Sequence, residues 1–384
     1  MTTLTEDVRP VRIGCHSCEG PTIAVLAAHR AAAVPLDPEV VLANMHGSFT
    51  GVSATIANLA EHHARRFDTA IFGQELPTSV RRFGWWEMAR LLWRRPAGRD
   101  VRIWHAGRNP EMWLGLFLKY VLRSPIKLVF TTVALRRHSP VPRALISAMD
   151  AIIATTPEAA SFVPRCDAIV PHGVDTSFFV PPDDKRRAWQ ETGLPGRYGI
   201  GTFGRVRPEK GTDLFVEAVC RVLPKYPEFT AVIAGRWKGS DRPFQEALAQ
   251  RIASAGLSDR VIWLGEVPAH ERHLWFQRVS LCVAAPRYEG YGLTPLEAMS
   301  CGAAAVATRT GIFPTLIEDG QTGYVVDVGD VEALADRIGR CIRDPQTLLE
   351  MGRRGRQHVV ANYDIVGEAA GIERVYARIF DGEL

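Results

Sequence analysis

Tyr198-Gly-Ile-Gly-Thr-Phe-Gly-Arg-Val-Arg-Pro-Glu-Lys-Gly211 admits two readings, and the choice between them sets the fold. Gly199, Gly201 and Gly204 satisfy G-x-G-x-x-G, the dinucleotide fingerprint, which must follow a strand and open directly into a helix. Here the preceding Leu194-Pro-Gly-Arg197 is turn-like, and Pro208 falls where the helix should be running. The better parse makes residues 198–203 the strand itself, ending in a loop with Arg205 and Lys210. A helix then starts at Thr212 or Asp213, where a Ser, Thr or Asp cap is expected. Leu214, Phe215, Ala218, Val219 and Val222 share one side of that helix. Two cations at the carboxyl end of a parallel strand stand where α/β sheets bind anionic ligands. A solvated Arg/Lys loop is the plainer alternative.

The same strand–loop–helix alternation extends outward through the chain. Apolar runs at Val40–Ala43, Lys127–Thr132, Ala151–Thr155, Thr230–Ala234, Val261–Leu264, Leu281–Ala284 and Tyr324–Val326 are separated by segments with helical spacing. Strands apolar on both faces argue for parallel sheets covered on both sides, an α/β protein. At 384 residues the chain suggests two domains. The Pro- and charge-rich Val180-Pro-Pro-Asp-Asp-Lys-Arg-Arg187 is the natural boundary. It gives an extension over 1–37, an N-terminal domain over 38–180, a linker over 181–195, a C-terminal domain over 196–363 and a last helical segment over 364–384.

Composition narrows the function classes. Hydrophobic residues make up 46% and charged residues 23%, ordinary globular usage, and the net charge of +4 does not announce a nucleic-acid binder. Seven scattered cysteines suit a reducing compartment rather than a disulfide framework. Cys15-His-Ser-Cys18 has no second pair at zinc spacing, so no metal site is assigned. The most apolar stretch, Met112–Leu122, contains Lys119 and is far short of the about 20 residues a membrane span needs. The N-terminus lacks a basic n-region, so a cytoplasmic protein is expected.

A second segment carries more chemistry: Tyr288-Glu-Gly-Tyr-Gly-Leu-Thr-Pro-Leu-Glu-Ala-Met-Ser-Cys-Gly302. Thr294 fits an N-cap, Pro295 the first helical position, Glu297 the third and Gly302 the stop, so Thr294 and Glu297 form a potential capping box. Gly290 and Gly292 let backbone N–H groups of Leu293 and Thr294 approach a ligand, and a helix N-terminus is a ready phosphate site. Glu289 lies ahead of the helix with no evident structural duty.

Glu289-x7-Glu297 with the intervening GYGLTPL resembles the E-x7-E motif of retaining glycosyltransferases of family 4, which have the GT-B fold. Pro171-His-Gly-Val-Asp175, FGRVRPEKG, Ile233-Ala-Gly235, Leu264-Gly-Glu266 and Glu318-Asp-Gly-Gln-Thr-Gly323 fall in the family's usual order. The likeness covers residues 39–380. It implies two Rossmann-like, doubly wound domains facing across a cleft, with the C-terminal helix packing back across them. It further implies a nucleotide-sugar donor whose diphosphate meets Arg205, Lys210 and the helix start at Gly292, Leu293 and Thr294. Glu289 would bond the donor sugar and Glu297 the ribose. Two cations can stabilise the departing diphosphate without a divalent metal or other cofactor.

In the N-terminal half, Gly47-Ser-Phe-Thr-Gly51 opens a helix, and in the family this glycine loop faces the diphosphate, making Gly51 its candidate here. Val101–Met112 and Phe130–Ser139 resemble a narrower branch, the lipopolysaccharide core mannosyltransferases of Gram-negative bacteria. That likeness implies GDP-mannose as donor and an inner-core, lipid-linked acceptor; a UDP-hexose donor for another envelope glycan is the alternative, and a non-catalytic sugar-nucleotide binder a remote one. His105 ends a strand where related enzymes hold a histidine near the sugar, against the plain reading of a satisfied strand-end histidine. A glycosidase pair is disfavoured, because one glutamate sits in a loop and the other inside a helix start rather than flanking a bond.

Residues 81–143 hold fourteen Lys and Arg against three acids, a local balance of +11, and five of the nine tryptophans. In Trp85–Arg95, Trp85, Trp86 and Trp93 recur among arginines, Arg94 included, as in a helix lying in a lipid interface. Docking on the anionic inner face of the membrane is therefore expected, with a core helix carrying a solvated basic face as the alternative. Arg136, Arg137 and His138 stand apart and are candidates to meet an acidic acceptor.

Overall fold

The computed structural model describes residues 37–47 and 51–384. The expected N-terminal extension with Cys15 and Cys18, and residues 48–50 of the glycine loop, lie outside the described residues. The chain forms two compact units, one of residues 176–363, the other of the described residues up to Asp175 together with Asp364–Leu384.

The N-terminal unit is built on β1 (Val40–Asn44), β2 (Thr69–Gly73), β3 (Arg82–Phe83), β4 (Arg102–Ala106), β5 (Ile126–Thr132), β6 (Ala151–Ala154) and β7 (Ala168–Ile169). They form a seven-stranded sheet in the order β3-β2-β1-β4-β5-β6-β7. Every pairing is parallel. β1 is buried along its whole length, as a strand covered on both faces requires.

The C-terminal unit repeats the plan with β8 (Tyr198–Phe203), β9 (Phe229–Ala234), β10 (Val261–Gly265), β11 (Val279–Ala284), β12 (Ala304–Thr308) and β13 (Gly323–Val326). Its order is β10-β9-β8-β11-β12-β13, again parallel throughout. The order reverses between β8 and β11, so the crevice beyond their carboxyl ends is the ligand position that this topology creates. The strand over 198–203 and the helix Thr212–Val222 match the sequence reading. Gly199 and Gly201 are strand residues: a Cβ on Gly199 would strike the Trp189 ring, and one on Gly201 the Phe203 ring. They serve packing, which removes the dinucleotide reading.

Two expectations change. The stretch read as a linker carries the helix Lys185–Gln190, capped by Asp184, and its Trp189 is fully buried in the C-terminal unit. The Lys185 ammonium donates 2.8 Å hydrogen bonds to the carbonyls of Phe276 and Val279, which fastens the helix to the start of β11. The last helix, Ile365–Phe380, completes the core of the N-terminal unit. Its Ile365, Ala369, Ile372, Val375, Tyr376 and Ile379 pack with Val40, Leu42, Ile71 and Ile103.

The Pro171–Asp175 motif is explained by that helix. Val174 bridges Asp364 in parallel register, and the Ile365 amide donates to the Val174 carbonyl at 3.0 Å. Glu368 accepts from the Gly173 amide at 2.7 Å and lies 2.6 Å from His172 Nδ1. A Cβ on Gly173 would lie 2.7 Å from the Asp364 carbonyl and the Ile365 Cα, both backbone atoms that cannot swing aside. Gly173→Ala is therefore expected to destabilise the protein by about 1–3 kcal/mol through overpacking, read as a lower urea midpoint with little change in slope. An unchanged midpoint would show that the helix is not held this closely.

Candidate active site

The two loops that flank the β8/β11 reversal meet at a backbone contact. Gly211, at φ +68°, sits so close to the end of β11 that a Cβ would overlap the Ala285 carbonyl. Arg287 then clamps the pair: its guanidinium holds Asp213 at 2.9 and 2.7 Å and also donates to the Pro208 carbonyl, while its amide donates to the Glu209 carbonyl at 3.0 Å. This clamp was not foreseen, since nothing local in Ala285-Pro-Arg-Tyr288 marks its partner more than seventy residues away.

The clamp brings Lys210 to Glu289, with Nζ 2.7 Å from Oε2. Glu289 Oε1 also accepts from the Gly290 amide at 3.1 Å. Both side chains keep roughly a quarter of their surface exposed, so the pair faces the crevice rather than the core. Arg205 extends from the other end of the β8 loop. Its neighbour Val206 is fully buried and pinned to the Arg236 carbonyl at 3.1 Å, whereas the Arg205 side chain is exposed and, among the described residues, has no ion-pair partner.

The helix at the second loop starts earlier than the capping-box reading allows. Gly292, at φ +99°, is the N-cap, and the helix is Leu293–Ser300. Thr294 is thus already helical and does not cap; no side chain accepts the first amides, which leaves Leu293 and Thr294 N–H groups for a ligand. Gly292 is required twice, by its positive φ and because a Cβ would strike the Phe313 ring.

Without the box, Glu297 has no structural bond to explain it. It is buried, its Oε2 finds no hydrogen-bond partner, and the nearest cation is Arg272 at 3.9 Å. Burial pushes its carboxyl up to about 7 from the ordinary 4.5, against the weaker opposing pull of Arg272. Among the described residues it holds the only buried carboxylate oxygen left unbonded. An unsatisfied buried acceptor of this kind marks a place where a ligand hydroxyl fits.

The residues assigned to the N-terminal unit fare differently. His105 lies on β4, but its Nδ1 is 2.5 Å from the Tyr376 hydroxyl and its Nε2 2.7 Å from Thr131 Oγ1. Both ring nitrogens are used within the unit, and burial drives the imidazole down to about 3, so it is held neutral at the end of β4. Gly51 begins the helix Gly51–His63 just beyond β1. Beside it lies an unforeseen network: Arg108 donates to Asn44, Ser53 and Glu111, and the fully buried Glu111 accepts from the Met45 and Gly107 amides.

The basic aromatic stretch forms a shorter helix than expected, Trp85–Leu91, with Met88 and Leu91 turned to the core. Trp86 is 85% exposed and Trp93 67%, and Trp85, Trp113, Tyr120 and Val121 are exposed as well. Trp93 Nε1 donates to the Leu122 carbonyl at 2.7 Å, which joins the two aromatic segments into one surface. Arg94 lies 3.9 Å from Asp37. Arg136 and Arg137 are exposed on the loop after β5. No helix of the described residues is long and apolar enough to cross a membrane.

Residues 183–358 match the family model of glycosyl transferases group 1. The chain is 42% identical to the lipopolysaccharide core biosynthesis mannosyltransferase LpcC of Rhizobium leguminosarum bv. viciae over 341 residues, 88% of this chain and 96% of that one. It is 38% identical to the corresponding LpsB of Rhizobium meliloti (strain 1021), over 88% of this chain and 97% of the relative. Among solved structures, Anabaena Alr3699/HepE in complex with UDP superposes with a TM-score of 0.74 at 19% identity, covering 88% of this chain and 99% of that one, a likeness of fold. With relatives of 42% and 38% identity matched over nearly their whole lengths, the chain belongs to the group 1 glycosyltransferases.

Proposed function

We propose that this glycosyltransferase moves mannose from GDP-mannose, with retention at the anomeric carbon, onto a lipopolysaccharide core acceptor. The identity to two core mannosyltransferases over nearly their whole lengths supports the acceptor class and the sugar. The observation that carries the catalytic reading is the uncapped helix start at Leu293 beside the Lys210–Glu289 pair. Arg205, Lys210 and the amides of Leu293 and Thr294 offset the charge that develops on the departing diphosphate. Fixed donors aimed at developing charge are often the largest catalytic contribution, and two cations supply it here without a divalent metal. On donor binding Lys210 exchanges Glu289 for phosphate oxygen, which frees Glu289 to accept from hydroxyls of the sugar. Glu297 takes a ribose hydroxyl on its unbonded oxygen. In the N-terminal unit, Gly51 opens the helix after β1 and His105 is held at the end of β4 by Tyr376 and Thr131.

The enzyme is further read as peripheral to an anionic membrane, where its lipid-linked acceptor resides. Trp85, Trp86, Trp93 and Trp113 offer apolar area among arginines, the composition of an interfacial surface. Each cation near an anionic leaflet adds about 1 kcal/mol, so binding is reversible and salt-sensitive.

Three outcomes test these assignments. Arg205→Ala should fold normally and lose at least ~10²-fold in kcat/KM, with EDTA leaving wild-type turnover intact. Glu289→Gln should nearly abolish transfer while GDP alone still binds; wild-type transfer by Glu289→Gln would mean that the active site is wrongly assigned. Purified protein offered GDP-mannose and UDP-hexoses in parallel should turn over the former, and turnover of a UDP-hexose alone would replace the donor.

Glu297 gives a pH test that needs no acceptor. Its carboxyl titrates near 7 when folded against 4.5 ordinarily, so the folded state prefers the protonated acid. Its stabilising contribution is full below about 4.5 and is lost as pH rises through about 7, a difference on the order of 3 kcal/mol. Glu297→Gln should therefore be at least as stable as wild type at pH 8 without nucleotide, yet bind GDP more weakly. A variant less stable than wild type at pH 8 would return Glu297 to a structural role.

Sedimentation with vesicles tests the surface. Wild-type protein should pellet with anionic vesicles at low salt, release at high salt, and bind neutral vesicles weakly; Trp86→Ala/Trp93→Ala should lose most of the binding. Equal binding to both vesicle types, or none to anionic vesicles at low salt, would remove the membrane assignment.

A further inference from the structure

We propose that the cavity at the carboxyl ends of β4 and β5 binds the negatively charged group of the acceptor sugar, an oxyanion held by Arg136 and Arg137 beside His138. This rests on the transferase reading above and adds to it a recognition element for the acceptor.

The cavity has a volume of about 340 Å³ and lies wholly within the N-terminal unit. Thr131 and Thr132 end β5 at its floor, Asn109 opens the helix Asn109–Leu116 on one side, and the loop with Arg136, Arg137 and His138 closes the other. That volume suits a monosaccharide unit, at the small end of ligand pockets of about 300–1,000 Å³. Its position, beyond the carboxyl ends of parallel strands, is where open α/β sheets receive ligands.

Charge gives the site its sign. No lining residue is acidic, and among the described residues neither Arg136 nor Arg137 has an ion-pair partner. Other arginines of this unit are spoken for, Arg102 by Asp37, Arg108 by Glu111, Arg95 by Asp100 and Arg99 by Glu39. Two adjacent unpaired guanidiniums at one cavity suit a planar carboxylate or a phosphate, which arginine grips with paired hydrogen bonds. The helix that follows does not supply this charge. It starts at Pro140 with Pro142 two residues on, so two of its first three amides are missing.

The remaining polar groups suit sugar hydroxyls. His138 Nε2 is buried without a hydrogen-bond partner. Burial and the neighbouring Arg136 charge hold its imidazole below the ordinary range, so it stays neutral and offers one nitrogen as a donor or acceptor. Ser139 lines the cavity, and its side chain makes no capping bond to the helix it precedes. Thr131, by contrast, is taken by His105, so the floor is fixed while the rim remains available.

The test titrates the full chain, without nucleotide, with glucuronate, glucose 6-phosphate and glucose, read by ligand-observed NMR at low salt. The charged sugars should bind at least ~10-fold more tightly than glucose, and Arg136→Ala/Arg137→Ala should erase that preference. Arg136→Lys/Arg137→Lys should restore part of it, since charge returns without the paired geometry. A preference for glucuronate assigns a sugar acid, and a preference for glucose 6-phosphate a phosphorylated sugar. Equal binding of glucose, or selectivity that survives the double alanine change but vanishes in Arg205→Ala, would overturn the proposal. The titration is independent of turnover: a wild-type protein that binds the charged sugars at this cavity but does not turn over any sugar nucleotide would refute the transferase reading alone.

Discussion

The backbone approach of Gly211 to the Ala285 carbonyl is the contact on which the loops of the C-terminal unit depend. No residue with a Cβ fits there. Because the two loops touch at that point, Lys210 on one reaches Glu289 on the other at 2.7 Å, and Arg287 can grip Asp213 with both nitrogens. Arginine is suited to that grip, since its planar fork pairs with both carboxylate oxygens at once. The result is a cationic group held by an anionic one at the end of a sheet. A free lysine on a mobile loop would have to be ordered at the moment of binding, at a cost of about 1–2 kcal/mol in side-chain entropy; here much of that ordering is done beforehand.

Titratable groups enclosed in this protein divide by whether their bonds are complete. Lys185 is buried deeply enough to titrate near 7, yet both of its contacts are fixed carbonyls, Phe276 of the helix before β11 and Val279 at the strand's start. Glu111 is fully buried and receives two amides and a guanidinium. His105 has both nitrogens occupied. These three hold elements together. Glu297 is buried to a similar degree with an oxygen left over and a cation only at 3.9 Å. Desolvating a carboxyl without a partner is costly, and a fold tolerates it where a ligand supplies the missing donor.

Much of this was legible in the chain. Strands rich in Val and Ile, such as Val40–Asn44 and Phe229–Ala234, declare themselves by composition and by burial on both faces. β12 does not: Ala-Ala-Val-Ala-Thr is poor in β-formers and becomes a strand because it is enclosed between β11 and β13. The Thr294-x-x-Glu297 pattern matched a capping box by spacing alone, but the positive φ of Gly292 starts the helix two residues before Thr294 could have opened it, and backbone geometry of that kind leaves no mark in a spacing rule. The bonds of His105 were hidden for another reason. Its partner Tyr376 is 271 residues away, on a helix whose destination could not be read from its own periodicity.

That helix also determines how the N-terminal unit reaches its folded state. Ile365, Ala369, Ile372, Val375, Tyr376 and Ile379 fill one face of the core against β1, β2 and β4, and no other segment of the described residues takes their place. Its polar groups are equally committed: Glu368 to His172 and the Gly173 amide, Glu373 to His63 and Arg66, Tyr376 to His105. The C-terminal unit, residues 176–363, is therefore an insertion between two parts of the N-terminal one. Strands β1 to β7 are complete in sequence by Ile169, but one apolar face of their sheet, only partly covered by the helix Gly51–His63, lacks its last layer until about two hundred further residues have been made. Domains fold as units when their cores close, so the C-terminal unit, contiguous in sequence, is expected to close first and the N-terminal unit after it. The contact that ends this delay is the short parallel bridge of Val174 with Asp364, where Gly173 allows the returning backbone to lie against the motif that precedes it.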